Sequence, residues 1–364
     1  MKRFLFVSIL LIITNISVFA HEITVTDMYN RVVKTPDMVK KIVAIGPGAL
    51  RFVVYAGAQN LVVARELFED KLDKSIRPYT FALPSNFDNL PVISAGGPGK
   101  MPDIEKLILV NPDIIIAAGF TNWQMDIINQ KSKIPVIGVN YGHVGHSDLE
   151  DVKNSIRLIG YLTKNQARAQ YIANRMAMFK KDLHARTQGE TPRQVYMASI
   201  AYKGARGFNS TESIHPSCGL LSLDNIANDS ISSKKNSTHS ILQMETILKK
   251  QPEYIFYDIS GFNLLKNDYP KSYKLLKLLD AVKNEKVYTV MPYNWYNSNV
   301  ENIFLTAYFM GKVIYPDKFS DVDIAHKADD IYNIFLGINP YEKVISKKSI
   351  YRRMVFEKSG FTFK

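Results

Sequence analysis

Two stretches of this chain, offset by 140 positions, repeat one pattern of apolar and polar residues. The first runs from Ile104 through Pro112 to Ile116, the second from Met244 through Pro252 to Phe256. In each, a Glu (Glu105, Glu245) stands seven residues before the proline, apolar residues follow at helical spacing, and an acid and an apolar run come after it. Proline lacks an amide donor and clashes with the preceding turn, so each stretch predicts a short helix stopped by proline and followed by a buried strand. A helix–proline–strand unit used twice predicts two similar lobes with a cleft between them.

The remaining pattern fits that plan. Ile23 to Val33 alternates like a small hairpin around Tyr29-Asn30, and Lys41 to Ile45 is an apolar strand closing at Gly46-Pro47-Gly48. A helix-like stretch, Ala49 to Ala58, and a strand, Leu61 to Ala64, follow it, which is the opening of an α/β layer fold. Residues 70–100 are rich in loop formers, and Ile134 to Val139 reads as a further strand, echoed by Lys286 to Val290. From Asp148 to Arg186 the period is helical without proline, broken only near Gly160 and Thr163-Lys164-Asn165; Gln166 to Arg186 predicts a long amphipathic helix. The expected organisation is a signal segment (1–20), an N-terminal α/β lobe (21–160), a linker helix (161–189), a C-terminal α/β lobe (190–337) and a tail (338–364). The last forty residues read as two helices and a basic tail. The fold class is α/β: two Rossmann-like lobes joined by a single long helix.

Composition adds the compartment. Lys2 and Arg3 precede an apolar run from Phe4 to Ile13, and Val18-Phe19-Ala20 has the small residues of a cleavage site, the pattern of a secretory signal peptide. The one cysteine, Cys218, permits no intrachain disulfide and lies far from the position where a lipid anchor is attached, so a freely diffusing periplasmic protein is expected. The formal charge of +12 becomes +10 once Lys2 and Arg3 are removed, which favours anionic small-molecule partners. No basic run interleaved with aromatics suggests nucleic acid. There is no phosphate-binding glycine loop with its lysine and no nucleophile elbow, and Cys218 has no local base, so no catalytic residue is assigned.

Several local strings carry a resemblance: Val25-Thr26-Asp27-Met28, Ala44 to Arg51 (AIGPGALR), Tyr202 to Phe208 (YKGARGF), Pro292 to Tyr296 (PYNWY) and Ala307 to Pro316. In this order and spacing, from about Ile23 to Gly337, the chain resembles the helix-linked periplasmic substrate-binding proteins of bacterial ABC importers, in the branch for iron complexes, haem and other metal chelates. The resemblance implies a receptor that hands its ligand to an inner-membrane permease, with a carboxylate on each lobe meeting permease arginines. Glu105 and Glu245 fall at those places, where a first-turn carboxylate is also favoured by the helix dipole. No permanently bound cofactor is implied; the metal chelate is cargo.

Ligands of open α/β layers sit beyond the carboxyl ends of strands. Those ends offer Arg51, whose planar guanidinium suits an anion, and across the cleft Tyr202, Lys203 and Arg206. Tyr141, Tyr293, Trp295 and Tyr296 supply aromatic faces and, in tyrosine, an oxygen ligand suited to ferric iron; Tyr79 lies in the loop region expected to overhang the cleft. His143 and His146 form a His-x-x-His pair that could share nickel or zinc, and His215 could also face the cleft. A ferric chelate leads the expected ligands. A nickel or cobalt complex, cobalamin and an oxyanion such as molybdate stay open, with a chelatase-like metal inserter as the remote alternative.

Overall fold

The computed structural model describes residues 21–364 except 72, 147–148, 229–237 and 345–348, so the expected signal segment lies outside the described residues. It opens with an antiparallel hairpin, Glu22–Thr26 against Val32–Pro36. The first lobe is built on a five-stranded parallel sheet whose strands are Ile42–Ile45, Val62–Glu66, Val92–Ser94, Ile114–Ala118 and Val136–Val139. In space Ile42–Ile45 and Ile114–Ala118 are adjacent, with the other strands laid outward on either side. The Ile114–Ala118 strand is buried on both faces, which is why it reads as an unbroken apolar run.

The second lobe repeats the plan with four parallel strands: Gln194–Ala198, Asp224–Asn225, Tyr254–Asp258 and Val287–Val290. Here Gln194–Ala198 and Tyr254–Asp258 are the adjacent pair, and the chain again lays its next strands outward on either side. Each sheet therefore has a switch point where loops diverge, after Ile45 and Ala118 in one and after Ala198 and Asp258 in the other.

Both repeated units take the predicted form. Helices Ile104–Val110 and Met244–Lys250 each end on a left-handed residue, Asn111 (φ 49°) and Gln251 (φ 44°), whose amide closes the last turn before the proline. The acid after the proline then ties the strand to its neighbours. Asp113 accepts from the amides of Lys40 and Lys41 at 2.6 and 2.9 Å, and Glu253 accepts from Arg193 Nε at 2.7 Å and Lys286 Nζ at 3.2 Å.

Helix Gln166–Thr187 joins the lobes. Its buried positions, Ala169, Ile172, Ala173, Met176, Phe179, Leu183 and Thr187, recur every three or four residues and form one stripe. The stripe packs on helix Val300–Ile314, and polar contacts fasten its flank: Tyr308 donates to Asp182 (2.7 Å), Arg175 pairs with Asp330 (3.1 Å) and Arg186 with Asp321 (2.6 Å). Helix Ile324–Leu336 reaches the first lobe, where Phe335 packs edge-on against Tyr55 at 5.2 Å. One hydrophobic core thus runs through both lobes.

The end of the chain has the two expected helices, Ile324–Leu336 and the short Tyr341–Val344, but departs from the expected basic tail. After these helices, residues Met354–Glu357 and Gly360–Phe363 form a hairpin. Leading into it, Tyr351 and Arg352 exchange backbone hydrogen bonds with Thr289 (3.1 and 2.9 Å), covering the edge of the second sheet. Phe356, Phe361 and Phe363 then pack against Phe262 and Tyr269. Alternating aromatics with one edge strand to cover explain why these residues form strands.

Candidate functional site

The two switch points face one another across a pocket of about 640 Å³. Pro47 and Pro98 come from loops of the first lobe and Phe68 from the short helix Phe68–Lys71, Ala201 to Gly204 from the loop after Gln194–Ala198, and Asn294 to Asn297 from the loop after Val287–Val290. Gly46 makes the first of these loops possible: it sits at φ +82°, and a side chain there would meet the Ala118 carbonyl oxygen at 2.2 Å. Of the expected ligand contacts, the structure brings Tyr202, Lys203, Trp295 and Tyr296 to the pocket wall.

The other expected contacts lie elsewhere. Arg51 does not face the cleft. Its helix, Ala49–Tyr55, is buried on every side, and its guanidinium is wholly enclosed. There Nη1 donates to the Tyr141 hydroxyl (3.1 Å) and the Tyr296 carbonyl (3.2 Å), and Nη2 to the Trp295 carbonyl (3.1 Å). A buried guanidinium needs acceptors in its own plane, and the second lobe's loop supplies them. Tyr141 is buried too, donating to the Gly48 carbonyl at 3.0 Å with its ring on Phe52. Tyr79 lies under the Arg51 guanidinium at 4.6 Å and donates to Glu69 (2.7 Å). Tyr293 is enclosed in the second lobe, its hydroxyl bonded to Glu212 and its ring edge-on to His215. These four side chains support the pocket from below, because each hydroxyl or guanidinium found protein partners that water or ligand would otherwise supply.

Arg206 is exposed and outside the pocket lining, its Nε donating to the Tyr202 carbonyl at 2.8 Å. It shapes the tight loop in which Lys203 (φ 53°) and Gly204 (φ 117°) take left-handed conformations. His143 is exposed on a loop, and the side chain of His146 lies outside the described residues. Among the described residues no group of three His, Cys, Asp or Glu is placed to hold a metal ion. His215 is fully buried, held neutral by desolvation with its pKa down to about 3, and its Nδ1 accepts from the Ser217 amide.

Three site features were not anticipated. Phe68 stands just past strand Val62–Glu66 and packs on Tyr296 at 4.6 Å. Asn294 and Asn297 tie the loop to opposite lobes, donating to the Ala201 carbonyl (3.3 Å) and the Pro47 carbonyl (3.2 Å). His239 stacks behind Tyr202, rings 4.1 Å apart and 10° from parallel, its Nε2 2.9 Å from the Ser210 hydroxyl. For Phe68 and the asparagines the signal was there, since all three lie at strand carboxyl ends. His239 arrives from a strand distant in sequence and carries no such mark.

Beneath the wall, Glu66 is buried and accepts from the Gly46 amide (2.9 Å), the Ser94 hydroxyl (2.9 Å) and the Tyr296 hydroxyl (3.1 Å). Burial pushes its pKa up to about 7 despite those donors. Glu212 is pushed to about 7 by the same cause. Among the described residues no carboxylate lines the pocket, while Lys203 and two asparagine amides do. Such a wall offers aromatic faces, amide donors and a positive charge, which suits a flat or anionic guest. The docking candidates are apart from this site: Glu105 and Glu245 are both exposed, each in the first turn of its repeated helix.

Solved structures share this fold. The molybdate-bound MolA periplasmic binding protein of Haemophilus influenzae superposes with a TM-score of 0.66 at 18% identity, over 87% of this chain and 98% of that one. A periplasmic solute binding protein of Veillonella parvula gives 0.68 at 20% identity, over 90% and 97%. The nickel-bound CeuE protein of Helicobacter pylori gives 0.62 at 15% identity, over 87% and 97%. No curated protein matches the chain. Among the described residues no helix is long and apolar enough to cross a membrane. The sequence model of the periplasmic binding protein family matches residues 54–293, and the chain belongs to that family, the substrate-binding proteins of ABC transporters.

Proposed function

We infer that this protein is the receptor for an anionic metal chelate, a ferric one foremost, which it captures between its lobes and delivers to an ABC permease. The observation that carries this reading is the composition of the pocket wall: Tyr202, Trp295, Tyr296 and Phe68 as aromatic faces, with Lys203 as cation and, among the described residues, no carboxylate. A carboxylate-free, aromatic pocket favours a pre-formed complex over a naked metal cation, which would seek hard anionic oxygens or imidazoles. The volume, about 640 Å³, is that of a pocket enclosing a compact organic ligand. Residues 21–160 and 190–337 serve as the two lobes, and Glu105 and Glu245 as the contacts to permease arginines.

A second reading, an oxyanion, is favoured by one observation. Among the described residues, the buried N–H donors Arg51 Nε and Trp295 Nε1 have no partner, and an oxyanion would accept from them if the loop bearing Trp295 rearranged. Elemental analysis and absorbance of the mature protein purified from its own periplasm separate the two. Iron with a charge-transfer band supports the chelate; an equimolar oxyanion metal without organic absorbance supports the other.

A further inference from the structure

The second lobe carries a surface that ligand capture does not use. Helices Phe262–Asn267 and Tyr269–Leu276 lie on its outside, and three leucines there remain open to solvent: Leu264 (43% exposed), Leu275 (45%) and Leu278 (46%). Lys266, Lys271, Lys274 and Lys277 are exposed among them. Lys271, Lys274 and Leu275 recur at spacings of three and four along Tyr269–Leu276, Leu278 continues that row just past the helix end, and Leu264 of the neighbouring helix lines the same groove as Leu275. Over residues 262–283 five lysines stand against two acids, Asp268 and Asp280, a balance of +3. Those acids pair with Lys271 (3.5 Å) and Lys283 (2.8 Å), leaving Lys266, Lys274 and Lys277 without an ion pair among the described residues.

The face is held firmly. Tyr269 donates to the Glu357 carbonyl at 2.6 Å and stacks on Phe356, so the C-terminal hairpin braces the helix from behind. It also adjoins the helix that bears Glu245: Gln251, the residue ending that helix, donates to the Leu278 carbonyl (3.3 Å) and accepts from the Asp280 amide (2.9 Å).

We propose that this lysine- and leucine-bearing face docks the receptor on an anionic lipid surface. Exposed leucines set among unpaired lysines match the boundary of a negatively charged bilayer, where apolar side chains enter the headgroup region and lysines stay with the phosphates. What sets this face apart from a solvated one is the gathering of three half-exposed leucines among lysines without ion pairs on one side of the lobe. The chain's excess of basic residues acts in the same sense at longer range. The proposal uses the periplasmic setting of the family and is independent of the pocket's ligand and of Glu245.

Flotation of the mature protein with vesicles tests it. Vesicles of phosphatidylcholine with one-third phosphatidylglycerol should carry the protein upward at low salt and release it at high salt, and pure phosphatidylcholine should not carry it. The double variants Lys274→Glu/Lys277→Glu and Leu275→Ser/Leu278→Ser should each lower the partition coefficient by about tenfold or more, with the melting temperature unchanged. No flotation with anionic vesicles, or binding undiminished in either double variant, overturns the proposal. So does lipid-independent self-association that the leucine pair abolishes, which would make the face a contact between copies.

Discussion

The Tyr296 hydroxyl, from the second lobe, donates to the buried Glu66 carboxylate of the first lobe at 3.1 Å, while the Gly97 amide donates to the same hydroxyl at 3.2 Å. Tyr296 is thus both pocket wall and bolt between the lobes. Tyr296→Phe keeps the ring on Phe68 but leaves the carboxylate and the amide short of a partner. Urea unfolding should show a loss of about 1–3 kcal/mol. A variant as stable as the parent would mean that the bolt has no energetic role.

Arg51 and Lys203 should behave as opposites, though both are basic residues beside the pocket's loops. Arg51→Ala strands two carbonyls and the Tyr141 hydroxyl in a dry interior, so stability should fall by roughly 3–5 kcal/mol. Lys203→Ala alters an exposed wall and should leave stability within about 0.5 kcal/mol. Affinity for an anionic chelate should nevertheless drop about tenfold or more, the size of one lost charge-assisted contact. Thermal unfolding and ligand titration on both variants check the contrast.

Mild acidity should stabilise this protein relative to neutral pH. Burial raises Glu66 and Glu212 from 4.5, and Asp258 from 3.8, to about 7. Between those limits the folded state holds protons that the unfolded chain has released, so these groups make stability fall as pH rises toward 7. His215, lowered from 6.5 to about 3, acts in the opposite sense with one proton, and His239 adds part of another. Three carboxyls outweigh them. Urea unfolding should give a stability greater at pH 5 than at pH 7 by roughly 1–3 kcal/mol, and Glu66→Gln should flatten the slope. A stability that rises across this interval would contradict the burial of these carboxyls.

The fold was legible where local rules and burial agree. Proline, a helical apolar period and a buried strand coincide in both repeated units, and Gln166–Thr187 carries its stripe without interruption. The C-terminal hairpin was not legible, because its basic residues Arg352, Arg353 and Lys358 mask an alternation of aromatics whose partner edge, at Thr289, is more than sixty positions away. At the site, strand-end reasoning points to Tyr202, Lys203, Trp295 and Tyr296, which line the pocket. It could not distinguish wall from foundation. Arg51, Tyr79, Tyr141 and Tyr293 also sit near strand ends, but their direction depends on partners contributed by distant segments: the Trp295 carbonyl for Arg51, Glu69 for Tyr79, Gly48 for Tyr141 and Glu212 for Tyr293.

Docking should separate from capture. Glu105 and Glu245 are exposed and belong to neither the pocket nor its supports. Reversing both charges, Glu105→Lys with Glu245→Lys, should abolish import in cells while the purified receptor keeps its affinity within about twofold. Loss of ligand binding in the purified double variant would show that these carboxylates serve the pocket.

The central claim, capture of an anionic chelate against the aromatic wall, can be read from one side chain. The chain has two tryptophans, Trp295 in the pocket and Trp123, 70% exposed on the first lobe. In a Trp123→Phe background, titration with anionic ferric chelates, catecholates and citrate among them, should quench Trp295 saturably. One such chelate should bind with a dissociation constant that Lys203→Ala raises about tenfold or more. Absence of saturable quenching by any of these anionic chelates, with tight quenching instead by free molybdate or free Ni²⁺, would contradict it.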